Sequence, residues 1–391
     1  MEDGAGCRYL SRFWAIIAMV FFWMYPGLAA MAEHTAANQN TALFSASAAD
    51  DTVAIRRALA NGERVNDRDP EQRTALMMAA RHGATAATEY LLDRGADPNA
   101  VDKQGRSAMI HAARHGRSDV IELLFAAGAD AQLKDSGGRV ALHWAAASGD
   151  ANTVILLGEA GGSVDPRDSQ GATPLLLAVA EGQVVTVDLL LARAADRQAR
   201  LNNGFGAMSL ASWTGSAAVT RRLLEAGASP DDATRAGVTA LMTAVDREHG
   251  GVVETLLAAD ADMNLQNANG RTALMYAVGG SPAIFDRLLD AGAELDTRSR
   301  MGLTALMLAS ARGDARAAER LISAGAALDI ADLHGVTALM AAAQNGNAGI
   351  VALLLAAGAN STLQDSRGRS ATDWAMASGH NEIAAEIEGG A

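Results

Sequence analysis

The sequence is poor in cysteine, aromatic residues and proline. Its one cysteine is Cys7, aromatic residues make up 4% of the 391 residues, and there are seven prolines. One cysteine cannot form an internal disulfide bond. If the N-terminal segment is removed, no thiol is left for catalysis or for a metal site. The shortage of aromatics and prolines, with abundant alanine and leucine, favours closely packed helices over sheets.

The chain also lacks an excess of positive charge. Its formal net charge is -13 at pH 7, which argues against non-specific binding to nucleic acid, because nucleic acid is itself anionic. The sequence contains no G-x-S-x-G motif, and the stretch 204–206 (Gly-Phe-Gly) is too short for a phosphate-binding loop and follows no strand. We therefore expect no nucleic-acid partner, no cofactor and no enzymatic activity.

What the sequence does contain is a recurring block that reads Thr-Ala-Leu-Met or a close variant. Successive blocks are 33 residues apart, with one step of 32. The blocks begin at Thr41, Thr74, Ser107, Val140, Thr173, Gly206, Thr239, Thr272, Thr304, Thr337 and Ser370. Such a fixed period predicts one supersecondary unit copied about ten times and stabilised by the stacking of neighbouring copies.

The unit Asp102–Ala131 illustrates what one copy encodes. It opens with a turn, and Ser107 is suited to cap a short helix because its hydroxyl can accept from free backbone amides. Gly116 ends that helix. Ser118 begins a second helix with one apolar face, and Gly128 closes it. No segment alternates like a strand, so the unit predicts two helices and a turn.

These units resemble ankyrin repeats, whose pattern is close to D-x-x-G-x-T-P-L-H-x-A-A-x-x-G followed by V-x-x-L-L-x-x-G-A. The nearest stretches are 168–178, which contains Thr-Pro-Leu, and 140–146, which contains Leu-His. The resemblance covers residues 41–388. It implies an all-α ankyrin-repeat solenoid of about ten 33-residue helix-turn-helix units with short β-turn fingers. The array, residues 41–391, would end in polar capping units.

Some copies depart from the pattern. Ala194 and Asp260 stand where glycine is expected, and Gly206 stands where threonine is expected. We therefore expect lower local stability between residues 194 and 262. The missing residue near 279–282 is expected to disturb the stack.

The first 32 residues have the layout of a secretory signal peptide. Arg8 and Arg12 precede an apolar run at 13–25, and 30–32 (Ala-Met-Ala) offers a small-x-small cleavage site. We predict cleavage after Ala32, a polar linker at 33–40, and a periplasmic or secreted protein.

An uncleaved signal anchor is the alternative for the same segment. Residues 13–32 are twenty uncharged residues, which is just long enough to span a bilayer. Both interpretations export the repeats, because the arginines stay on the cytoplasmic side. The resemblance and the leader together suggest an exported bacterial ankyrin-repeat protein, anchored in the inner membrane if the segment is retained.

The family resemblance also indicates where a partner would bind. Ankyrin-repeat proteins usually bind targets on the turn tips and on the concave inner face of the first helices. Here the inner position four residues after a block start holds His111, Trp144 and Tyr276, with Trp213 and Phe205 nearby. Exposed aromatic anchors carry much of the energy of an interface. The alternative is that these side chains merely pack between repeats.

A second group of candidate residues is basic. The expected strip consists of Arg73, Arg81, Lys103, Arg106, Arg114 and Arg139, all in the N-terminal half. It would suit a partner with an anionic surface. The alternative is that these arginines pair with nearby aspartates inside the protein.

The predicted function is a non-enzymatic scaffold or inhibitor that binds another protein outside the cytoplasm and works as a monomer. Two alternatives remain open. One is a metal-dependent enzyme, because His111 and His115 are spaced i, i+4 on a helix, although no third ligand is evident. The other is a membrane-tethered scaffold.

Overall fold

The computed structural model describes residues 42–389, which form eleven successive pairs of helices. The first helices of the pairs, here called inner helices, are α1 (Ala42–Ala48), α3 (Ala75–His82), α5 (Ala108–Arg114), α7 (Ala141–Ser148), α9 (Pro174–Ala180), α11 (Ala207–Thr214), α13 (Ala240–Asp246), α15 (Ala273–Ala277), α17 (Ala305–Arg312), α19 (Ala338–Gln344) and α21 (Ala371–Ala377). The second, outer helices are α2 (Thr52–Ala60), α4 (Thr85–Asp93), α6 (Ser118–Ala126), α8 (Ala151–Glu159), α10 (Val184–Ala192), α12 (Ala217–Glu225), α14 (Gly250–Leu257), α16 (Pro282–Asp290), α18 (Ala315–Ser323), α20 (Ala348–Ala356) and α22 (Asn381–Gly389). The predicted signal peptide and the polar linker lie outside the described residues.

The inner helices begin and end where the block predicts. The Thr74 hydroxyl accepts a hydrogen bond from the Met77 amide at 3.3 Å, and Ser107 does the same for Ile110. Such bonds satisfy amides that have no partner inside the helix. Gly83 ends α3 in the left-handed conformation, with φ of 75°, which glycine adopts without steric cost.

The core runs along the whole stack rather than forming one centre. Each inner helix packs against its own outer helix and against the inner helices before and after it. Ala112, Ala113 and Ala145 are fully buried between inner helices, and Leu124 anchors the outer helix α6. Small residues at these positions let the helices approach closely. The all-α repeat architecture predicted from the sequence is confirmed.

Fingers connect each outer helix to the next inner helix. Their tips are joined by backbone hydrogen bonds, such as Ser136 amide to Gln104 carbonyl at 2.8 Å and Ser169 amide to Gly137 carbonyl at 2.9 Å. Within residues 42–389 the fingers contain three isolated β-bridges and no strand. The fingers are therefore β-turns that bond to their neighbours along the array.

Of the two regions that depart from the pattern in the sequence, the one near 279–282 is irregular in the structure, whereas residues 194 and 260 keep the backbone conformation of the other copies. Ala194 and Asp260 have φ of 60° and 57°, the left-handed conformation that Gly128 adopts at the same place with φ of 78°. Helix α15 has only five residues, and Val278 after it is extended, with φ of -62° and ψ of 123°. Contacts between α15 and α17 are the sparsest between successive inner helices of the described array.

The helices are all short. In the part of the chain that the structure describes, none is long and apolar enough to cross a bilayer.

Candidate functional site

The candidate site is the surface between the fingers and the half-exposed sides of the inner helices, which we call the inner face. Trp144 on α7 and Tyr276 on α15 lie there, each four residues after a block start and each half-buried. Both side chains bond to the finger that precedes their own helix. At the inner face, large side chains are therefore partly exposed to solvent between a finger and an inner helix.

Three repeats link the finger to the inner helix by a hydrogen bond between side chains nine positions apart. The bonds join Asp102 Oδ2 and His111 Nε2 at 3.0 Å, Asp135 Oδ2 and Trp144 Nε1 at 3.0 Å, and Asn267 Nδ2 and Tyr276 Oη at 2.8 Å. In the first two the ring nitrogen donates, and in the third the asparagine amide donates. The polar group of each inner side chain is thus engaged inside the protein, while its apolar surface differs in exposure.

His111 is the buried member of this set. It is 3% exposed, and Asp102 beside it is 5% exposed. Burial alone would raise the pKa of Asp102, but hydrogen bonds from His111 and Arg106 and the charge of Arg106 lower it to about 2. Burial lowers the pKa of His111, although the bond to Asp102 opposes that effect. The structure removes His111 from the predicted contact surface, because its side chain is almost fully buried and bonds to the buried Asp102.

The arginines before the early blocks form ion pairs with finger aspartates. The pairs are Arg73 with Asp69 at 2.7 Å, Arg106 with Asp102 at 2.8 Å, and Arg139 with Asp168 at 2.9 Å. In each pair the aspartate side chain is at least nine-tenths buried. Lys103, at an exposed finger tip, lies 4.0 Å from Glu71. Three members of the predicted basic strip therefore have their charge offset by a finger aspartate, in their own finger for Arg73 and Arg106 and in the next finger for Arg139.

Trp144 forms the wall of an open cleft on the inner face. The guanidinium carbons of Arg114 and Arg139 lie 5.0 and 5.1 Å from the centre of its ring, within the range of cation–π attraction. Leu177 on α9 and Glu181 just beyond it complete the opposite side. The cleft has a volume of about 160 Å³. Its lining combines apolar Trp144, Ala147 and Leu177 with Ser148 and with charged Arg114, Arg139 and Glu181.

A second aromatic cluster lies farther along the inner face. The Arg247 guanidinium carbon is 3.2 Å from the centre of the Trp213 ring, and Phe205 meets Trp213 edge to face at 6.4 Å between ring centres. Burial raises the pKa of Tyr276 above its ordinary value. Aromatic pairs and stacked arginines hold these rings in fixed orientations.

A third feature is a group of cations at the ends of α3 and α5. Burial, and then the charges of Arg81, Arg114, His111 and Arg117, lower the pKa of His115 to about 4. Among the described residues, neither Arg81 nor Arg117 has a carboxylate at ion-pair distance. We call Arg81, Arg114 and Arg117 the basic cluster. The sequence predicted two of its members, and Arg117 was missed.

The structure provides no support for the metal-dependent alternative. No group of three or more histidine, cysteine, aspartate or glutamate side chains that could hold a metal occurs within residues 42–389. His111 Nε2 already donates to Asp102. His143 is also structural: its Nδ1 accepts from the Val140 amide and its Nε2 donates to the Ala172 carbonyl. These two bonds require the neutral ring.

Two residues of the inner face were not predicted from the sequence. Arg247, over Trp213, and Glu181, at the Trp144 cleft, each lie in the repeat after that tryptophan. Their spacing of about one repeat could have suggested contact. The constant separation of nine residues between finger Asp or Asn and inner-helix side chain was also available in the sequence.

A family model of ankyrin repeats in three copies matches the chain repeatedly. The matches cover residues 18–102, 43–135, 109–203, 142–234, 208–299, 241–332 and 306–387. No curated protein matches the chain significantly.

Proposed function

The chain belongs to the ankyrin-repeat family, and from this we propose that it is a non-enzymatic scaffold or inhibitor that binds another protein on its inner face. Ankyrin repeats generally serve as protein-binding modules. The observation that carries the proposal is the row of half-exposed rings, Trp144, Trp213 and Tyr276, held in place by fingers and stacked arginines. Rings fixed before binding lose little entropy when a partner covers them.

The size of the array supports the same proposal. Neighbouring helices pack about 8–10 Å apart, so eleven pairs extend on the order of 100 Å. Such a length accommodates an interface of standard size, about 800 Å² on each partner. Trp144 and Trp213 are separated by two repeats, so a single partner can contact both.

We place this activity outside the cytoplasm, in the periplasm or beyond, on the basis of the predicted leader at 1–32. The tethered alternative differs only in whether that leader is retained. N-terminal sequencing of the protein purified from its native cells decides this point. A first residue of Glu33 supports export with cleavage, and Met1 supports a tether.

Binding is tested in two stages. The wild-type protein is crosslinked in its native cells and its partner is identified by mass spectrometry. Affinities of the purified partner are then measured for Trp144→Ala and Trp213→Ala, with Val185→Ala as the control. Val185 is 61% exposed on the outer helix α10, so its loss should not matter. We expect each tryptophan variant to bind at least about tenfold more weakly, as for an interface hot spot.

The proposal fails if Trp144→Ala and Trp213→Ala both bind the partner as tightly as the wild type and the Val185→Ala control do. Circular dichroism of each variant must show wild-type helix content for the comparison to count. Arg106 is unsuitable for this test, since a glutamate there would face the buried Asp102 and unfold the finger.

A further inference from the structure

We propose that the N-terminal part of the inner face binds an acidic segment of the partner, with carboxylates at the basic cluster and one apolar side chain in the Trp144 cleft. This inference rests on the proposed function and specifies the chemistry of the segment bound. Three features support it: the cleft, the cations beside it, and the restriction of these cations to this part of the face.

The cleft accepts a small apolar group. Its volume is about 160 Å³, it is open to solvent, and Trp144, Ala147 and Leu177 form its apolar lining, so one small aliphatic side chain can occupy it. The Trp144 ring is already fixed by its bond to Asp135 and by the stacked Arg114. An aliphatic side chain entering the cleft would bury apolar surface without reorganising the wall.

The basic cluster lies directly beside the cleft. Arg114 contacts both features, since it lines the cleft and belongs to the cluster. Arg117 extends towards the preceding repeat, where a Cβ added to Gly83 would be 2.8 Å from its Cδ. Arg81 lies two residues before Gly83 at the end of α3. The three guanidinium groups thus form one patch across two repeats.

Beyond the third repeat, the positions equivalent to Arg81 and Arg114 carry no cation, and Arg247 farther along this face is stacked on Trp213. The positions equivalent to Arg81 and Arg114 are Ala147 in the fourth repeat, Ala180 in the fifth and Asp246 in the seventh. Glu181 borders the cleft on the far side. On a chain with a net charge of -13, a local cationic patch that ends at an apolar cleft favours a partner segment with acidic residues on one side of an apolar residue.

The geometry sets the length of the segment. From α3 to α7 is two inner-helix steps, or about 16–20 Å. An extended chain covers about 3.3 Å per residue, so five to six residues reach from the cluster to the cleft. A protein segment fits better than nucleic acid, because every nucleotide carries a phosphate that Glu181 would repel, whereas a peptide can place an uncharged residue beside Glu181.

The experiment uses a fluorescein-labelled hexapeptide of five successive glutamates followed by one leucine. Its binding is measured by fluorescence anisotropy against the wild type and against Arg81→Glu/Arg117→Glu. The control is Arg221→Glu/Arg300→Glu, which changes the net charge equally at exposed positions on α12 and on a finger tip. Trp144→Ala and a peptide with serine for leucine test the cleft. Comparison probes are the lysine version of the peptide and an eight-nucleotide single-stranded RNA.

We expect the glutamate peptide to bind the wild type and the control double variant within twofold of each other. The Arg81→Glu/Arg117→Glu variant, Trp144→Ala and the serine peptide should each weaken binding at least tenfold. Binding should also weaken as salt rises, because exposed charges contribute. The inference is overturned if the wild type does not bind the peptide at about 1 mM, the weak end of the affinity range. It is also overturned if the lysine peptide binds as tightly as the glutamate peptide.

Two further outcomes also overturn it. One is equal weakening in the control double variant, which would indicate general charge attraction. The other is tighter binding of the RNA, lost in the Arg81→Glu/Arg117→Glu variant, which would assign the patch to phosphates. Failure here leaves the proposed function standing if the crosslinked partner still needs Trp144 or Trp213. If the crosslinked partner needs neither Trp144 nor Trp213, the proposed function itself is wrong.

Discussion

The third repeat and the eighth repeat use the same finger-to-helix bond with different chemistry. In the third, a buried Asp102 accepts from two backbone amides, from Arg106 and from His111. In the eighth, Asn267 takes the place of the aspartate and donates to Tyr276, and the helix that carries Tyr276 has only five residues. The array therefore keeps one finger-to-helix geometry, while its local stability varies with the charges and the helix length of each copy.

The largest expected effect comes from removing the finger carboxylate. Asp102→Ala leaves His111 buried and Arg106 unpaired, so we expect a loss of about 3–5 kcal/mol in the opening free energy of α5. Asn267→Ala breaks neutral bonds only and should lower the opening free energy of α15 by about 1–3 kcal/mol. Native-state hydrogen exchange measures both. Equal losses in the two helices would show that charge does not distinguish the two repeats.

The same carboxylate gives the wild type an acid dependence. The pKa of Asp102 is about 2 when folded, against an ordinary value of 3.8. Its contribution to folding stability is complete well above pH 3.8 and is lost as the pH falls through 3.8 towards 2, since the unfolded chain binds the proton first. Asp102→Ala should therefore lose less stability than the wild type over this range, as followed by the midpoint of urea unfolding.

The next effect concerns the shortened helix. In the wild type, backbone amides of α15 should exchange at least about tenfold faster than those of α5, a difference of about 1.4 kcal/mol in opening free energy. The reason is that α15 has fewer helical hydrogen bonds and fewer contacts with α17. Inserting one alanine after Ala277 restores the 33-residue step and should slow exchange in α15. Unchanged exchange after the insertion would mean that helix length is not the cause.

The smallest expected effect is at the left-handed positions. Ala194→Gly and Asp260→Gly should each raise stability by about 0.5–1 kcal/mol, because a side chain in this conformation costs about 1–2 kcal/mol and glycine entropy returns part of it. Gly128→Ala is the matched control, since no atom lies within 4 Å of the added Cβ and φ is 78°. It should lower stability. Urea unfolding measures the change in the free energy of unfolding for each variant. If that change has the same sign in all three variants, the explanation is contradicted.

The sequence predicted the repeats, the helices and their caps because these depend on local chemistry repeated at a fixed period. Thr74 and Gly83 cap α3, and Ser107 caps α5. None of these caps depends on residues beyond the neighbouring repeat. The positions Ala194 and Asp260 were also recognisable, because the period shows where glycine belongs. These features follow from short-range backbone hydrogen bonding and sterics.

The ion pairs of the inner face could not be predicted from the sequence in the same way. Arg106 pairs with Asp102 of its own finger, whereas Arg139 pairs with Asp168 of the next finger. In the fourth repeat Trp144 Nε1 donates to Asp135 Oδ2, and the Arg139 guanidinium lies over the Trp144 ring. The partner of the arginine therefore differs between two copies that carry arginine and aspartate at the same positions.

The sequence by itself determined that this protein is an ankyrin-repeat stack, where its helices begin and end, and which copies depart from the rule. Only the tertiary structure decided which inner side chains remain available to a partner. His111 and Trp144 occupy the same register, yet His111 is 3% exposed and Trp144 stands half-exposed at a cleft. Exposure depends on side-chain size and on what two neighbouring repeats place around it, and a periodic pattern in one dimension does not contain that information.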